Sequence, residues 1–153
     1  MTNSVTPEEI IERLNGLIET ARDGERGYLT AAADVKNSEL RSIFEEYAEQ
    51  RRKFVRELEA EVERLGGRPV ESGSVAAAVH RGWIDLKGAI SGGGVHAIVA
   101  ACETGEDAAQ AAFERVVNLD ISGATRTLVE KQWRQIQEAH QRMRHLKDNV
   151  ADS

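Results

Sequence analysis

Apolar residues return at steps of three and four along four stretches of the chain, and each such stretch predicts a helix with one buried face. Ile10, Ile11, Leu14, Leu17, Ile18, Ala21, Tyr28 and Leu29 mark the first. Thr6 stands where a cap is wanted, with Pro7 in the first turn and Glu9 completing a capping box. Asp34-Val35-Lys36-Asn37-Ser38 predicts a short turn. Leu40, Ile43, Phe44, Tyr47, Phe54, Leu58, Val62 and Leu65 then define a second helix, which stops at Gly66-Gly67 with Pro69 beyond. Val95, Ile98, Val99, Cys102, Ala109, Phe113, Val116 and Val117 carry the third. Leu128, Val129, Trp133, Ile136, Ala139, Met143 and Leu146 carry the fourth.

The predicted helices run over about 7–33, 38–65, 95–117 and 123–148. Between 66 and 94 lie a polar linker, a shorter helical stretch from Val75 to Ile90 holding Trp83 and Leu86, and the run Ser91-Gly92-Gly93-Gly94. The short first connection makes helices one and two antiparallel neighbours, and the stretch 66–94 is long enough to cross the bundle. Short, long, short is the connection order of ferritin-like bundles. The expected fold is therefore all-α, one up-down four-helix bundle over residues 1–153 with a single long crossover containing a short helix.

Four ionisable residues interrupt the apolar stripes, one per helix. At about 100° per residue, Glu25 falls on the line of Ile11, Ile18 and Tyr28, and Arg51 falls between Tyr47 and Phe54. Glu106 follows Cys102 by one turn and precedes Ala109, while His140 lies between Ile136 and Met143. Polar groups facing a bundle core must satisfy each other or hold a ligand. The expectation is a buried ion cluster of Glu25, Arg51, Glu106 and His140.

Charge and cysteine usage narrow the remaining classes. The formal net charge is −6 over 153 residues, and no basic face stands out to hold nucleic acid or an anionic membrane. The single cysteine, Cys102, has no internal disulfide partner, and no paired-cysteine zinc spacing is present. Met1-Thr2-Asn3-Ser4-Val5 is polar, no apolar run is long enough to span a membrane, and a cytoplasmic location is expected. Serine triads, phosphate-cradling glycine loops and dinucleotide fingerprints are absent.

The succession Glu25-Arg26-Gly27-Tyr28, Ala48-Glu49-Gln50-Arg51, His80-Arg81-Gly82-Trp83-Ile84-Asp85-Leu86-Lys87 and Gly105-Glu106-Asp107 resembles a bacterial family of unknown function in the ferritin-like superfamily. Gly105-Glu106 and Ala48-Glu49-Gln50 are also similar to rubrerythrin, whose bundle supplies one glutamate from each of two helices and a Glu-x-x-His pair from each of the others. The resemblance implies that Glu25 and Glu106 match the single-glutamate positions. It also implies that Arg51-x-x-Phe54 and Gln137-x-x-His140 stand where the Glu-x-x-His pairs would be. Helix two then lacks both ligands, and helix four keeps only the histidine.

A dinuclear carboxylate site needs roughly four negative groups to offset two divalent ions, whereas this interior offers two, opposed by a permanent arginine charge. A metal-free ion cluster with no cofactor is the favoured reading. The alternative is one divalent ion (iron, manganese or zinc) on Glu25, Glu106 and His140, with Arg51 anchoring a bound anion, and a di-iron site ranks below it. Function is accordingly expected to be that of a non-enzymatic structural or stress-related interaction protein, with metal handling or redox activity as the alternative.

Cys102 is expected to be an inert buried thiol, and His80 and His96 to be solvated residues flanking the crossover. Trp83 is expected to pack the crossover on the bundle. Gly24 and Gly27 each cost a helix about 1 kcal/mol relative to alanine, so close helix approach or a local distortion is expected beside Glu25. Val55, Leu29 and Ala32 lie off the central stripes of helices one and two and suggest a homodimer.

Overall fold

The structure, a computed structural model, describes residues 5–71, 83, 86, 88–89 and 94–149. The helix expected over 75–90 and His80 lie outside the described residues, apart from Trp83, Leu86, Gly88 and Ala89. Four long helices account for most of the rest: α1 (Pro7–Asp34), α2 (Ser38–Arg64), α3 (Val95–Val117) and α4 (Gly123–Asn149). Each boundary lies within two residues of its sequence expectation. Among the described residues there is no strand, and no helix is long and apolar enough to cross a membrane.

Local chemistry sets the helix ends. Thr6 Oγ1 accepts from the Glu9 amide at 3.2 Å, and Asn37 Oδ1 accepts from the amides of Glu39 at 2.9 Å and Leu40 at 3.0 Å. Each cap satisfies amides that the first turn leaves without an intrahelical partner. At the end of α2, Gly66 adopts φ 90°, its amide donates to Glu63 O, and the Gly67 amide donates to Val62 O at 2.9 Å. That pairing is the Schellman motif, and the left-handed backbone it needs falls on a glycine.

α1 packs on α2 and on α3, α3 packs on α4, and α2 packs more lightly on α4. The start of α1 meets the ends of α2 and α3, so α2 and α3 run in the same direction and their connection must traverse the bundle. It begins along α1: the Asn15 side chain donates to Arg68 O at 3.1 Å and accepts from the Val70 amide at 2.8 Å. Arg22 Nη1 donates to Val70 O at 2.7 Å.

The interior divides into two apolar clusters stacked along the bundle. One holds Leu14, Ile18, Phe54, Leu58, Phe113 and Ile136; the other holds Tyr28, Phe44, Val99, Cys102, Ala139 and Met143, together with Trp83, Leu86 and Ala89. On α2 the clusters part between Ala48 and Phe54, and on α3 between Cys102 and Ala109. Arg51 and Glu106 fall in those gaps.

Candidate functional site

Arg51 and Glu106 form an ion pair sealed between the two apolar clusters. Arg51 Nη2 lies 2.6 Å from Glu106 Oε2, and their side chains are 1% and 0% exposed. The same carboxylate oxygen accepts a hydrogen bond from the phenol of Tyr28, which is also fully buried. Arg51 Nε donates to Gln50 Oε1 at 3.3 Å. Its guanidinium carbon lies 5.6 Å from the ring centroid of Tyr28 and 5.7 Å from that of Phe54, close enough for both rings to attract the cation. Among the described residues, Arg51 Nη1 and Glu106 Oε1 have no hydrogen-bond partner.

The helices place these groups through small residues. At Gly24 a Cβ would sit 2.9 Å from Arg51 Nη1 and 3.2 Å from Arg51 Cγ, so the absence of a side chain there lets the guanidinium lie against α1. Burial alone would lower the arginine's pKa; the charge of Glu106 and its hydrogen bond reverse that, and the guanidinium is held above its ordinary value. Burial, then the Glu106 charge, pushes the Tyr28 phenol well above the ordinary tyrosine range. The same two causes raise the Cys102 thiol, which is fully buried and inert toward thiolate chemistry.

Of the four residues expected to meet, the structure brings two together. Glu25 is turned toward the surface: Arg52 Nε donates to Glu25 Oε2 at 2.8 Å, and the glutamate side chain is 23% exposed. His140 is buried, but its Nε2 pairs with Asp107 Oδ1 on α3. Nearby, Glu103 is held below the ordinary carboxylate range: burial would raise it, but hydrogen bonds from Lys147 and Arg144 outweigh burial, and the charge of His140 adds to them. Gln137 is half-buried on α4, Phe54 packs against Phe113 at 6.4 Å between centroids, and His96 is exposed.

The metal question turns on this donor set. Glu106 Oε2 already receives two donors, one of them cationic, so a divalent ion there would face the arginine charge at close range. Among the described residues no three of His, Cys, Asp and Glu gather in metal-binding geometry. These residues do not fit a dinuclear carboxylate centre.

Three participants were not legible as such in the sequence. Tyr28 reads there as a core aromatic, Asp107 only as the neighbour of Glu106, and Trp83 as packing for the crossover. The signal that could have marked Tyr28 is the glycine directly before it, a pattern that Gly105-Glu106 repeats. Trp83 lies against both glycines, and its ring meets that of Tyr28 edge-on at 5.4 Å and 72°.

Residues 9–119 match the domain of unknown function DUF2383. The chain belongs to this family. No curated protein matches the sequence. Among solved structures, this DUF2383 chain is similar to a two-domain protein with DJ-1/ThiJ/PfpI-like and ferritin-like domains from Anabaena variabilis, with TM-score 0.76 and 12% identity. The match covers 97% of this chain and 40% of that one, so the chain spans less than half of that relative's length. It is similar to a Dps1 variant from Mycobacterium smegmatis, with TM-score 0.75, 16% identity and coverage of 91% of this chain and 95% of that one. It is also similar to a dodecameric thioferritin from Bacteroides fragilis, with TM-score 0.73, 14% identity and coverage of 96% and 89%. At such identities the likeness shows the fold: an all-α, ferritin-like four-helix bundle.

Proposed function

We propose that this DUF2383 protein is a metal-independent, non-enzymatic ferritin-like bundle, a structural or stress-related interaction protein of the cytoplasm. In this reading the Arg51–Glu106 pair fixes the register of α2 against α3. The observation that carries it is the 2.6 Å contact between two side chains almost wholly removed from water. A buried charge left alone is strongly unfavourable, so each member demands the other in one geometry. The role is a specificity device more than a source of net stability.

The test is elemental analysis of untagged protein, followed by titration with ferrous, manganous and zinc ions in a His80→Ala/His96→Ala background. No stoichiometric site is expected. Stoichiometric binding that disappears in His140→Ala would replace this reading with the metal-handling one, in which Glu25, Glu106 and His140 move together around the ion.

Association as a homo-oligomer, with a homodimer as its unit, belongs to the same proposal. Val55 and Ala32 are buried within the single chain, which leaves Leu29, 43% exposed, as the exposed large apolar residue among those described. It stands on the outer face of the α1–α2 hairpin beside Arg22, Glu25 and Arg26. The dodecameric state of the Bacteroides fragilis thioferritin supports self-association on this fold.

A further inference from the structure

We propose that the seam between α1 and α3 at Gly27 and Gly105 is a binding slot for a planar bicyclic aromatic group, that its occupant in this chain is the Trp83 indole, and that occupancy positions the Tyr28–Glu106 hydrogen bond. A Cβ at Gly27 would overlap the indole at Cε3 and lie 2.6 Å from Cζ3 and 2.7 Å from Cδ2. At Gly105 it would overlap Cε2 and lie 2.5 Å from Cζ2 and 2.7 Å from Cδ2. Every one of these atoms belongs to the six-membered ring, and the distances put both glycines against the plane of the ring rather than at its rim. No side chain but hydrogen fits at either position while the ring is in place.

Adjacency in sequence ties the slot to the buried pair. Gly27 precedes Tyr28 and Gly105 precedes Glu106, so the surfaces that hold the ring are one residue from the two groups that share a proton. The indole edge-packs on the Tyr28 ring, and Trp83 itself is only 8% exposed. Withdrawing the ring would leave a flat cleft beside Tyr28, with no neighbouring side chain on either glycine to fill it. Water entering that cleft would reach the phenol, which would lose the burial that suppresses its ionisation.

The experiment uses Trp83→Ala in the full chain. Added indole should bind it saturably and raise its melting temperature, while indole leaves the native protein and Trp133→Ala unshifted. In a Tyr47→Phe background, Trp83→Ala should let Tyr28 titrate at lower pH, read from the near-ultraviolet phenolate band, and indole should restore the native profile. A folded Trp83→Ala that binds no indole, or binds it without moving the Tyr28 titration, overturns the proposal. Should Trp83→Ala not fold, Gly105→Ala decides in a Trp133→Phe background, where Trp83 is the sole tryptophan and can be excited selectively. Red-shifted emission with helical content retained is expected; emission unchanged from the parent overturns the slot.

Discussion

At the residue scale the fold turns on one carboxylate oxygen that serves two donors. Removing Arg51 leaves Glu106 charged, buried and bonded only to a phenol. Arg51→Met should therefore destabilise the protein by about 3–5 kcal/mol, measured by urea unfolding at neutral pH. Smaller, but with a defined sign, is the effect of alkali. The folded pKa values of Tyr28 and Cys102 are raised, first by burial and then by Glu106. Their contribution is fully present below the unfolded values, about 10 and 8.5, and is lost as pH rises toward the folded ones. Urea midpoints should fall above about pH 9, and Cys102→Ala should delay the onset of that fall. The inward positions of Arg51, Glu106 and His140 were legible because each lies within one turn of flanking core residues. Glu25 has the same spacing, one turn from Ala21 and from Tyr28, yet its carboxylate turns outward to Arg52, a pairing between two helices that periodicity does not report.

At the scale of the element, helices one to four were readable because apolar periodicity runs along each, with a cap at Thr6 and a glycine stop at Gly66-Gly67 marking two of the ends. Thr6 and the Gly66-Gly67 stop act as their residue types suggest, whereas Asn37 caps α2 from within what reads as a plain turn. Asn37→Ala should cost about 1 kcal/mol, seen as a lowered thermal midpoint, because the amides of Glu39 and Leu40 lose their acceptor. What periodicity does not show is how a crossover docks. The Trp83 slot is made by two glycines 78 positions apart in sequence; Gly27 reads there as a point of close approach or distortion, but nothing in the sequence pairs it with Gly105. Likewise the pairing of His140 with Asp107 joins two helices through a residue whose own face is solvent-exposed.

For the whole molecule, the two apolar clusters provide cohesion and the polar layer between them provides register. Self-association through the outer face of α1 and α2 should appear in light scattering as a mass at or above twice one 16.9 kDa chain. Leu29→Glu should shift that mass toward the single chain; a native protein that stays monomeric across a wide concentration range removes the proposed interface. The central claim, that Arg51 and Glu106 exist for each other, is a statement about global stability and is tested by a double-mutant cycle. Arg51→Met strands an anion and Glu106→Gln strands a cation, whereas the combined variant strands neither and keeps an acceptor for the Tyr28 phenol. Unfolding free energies of the four proteins are expected to show the combined variant more stable than either single one, with a coupling of about 2 kcal/mol or more. Additive losses in the combined variant would contradict the account.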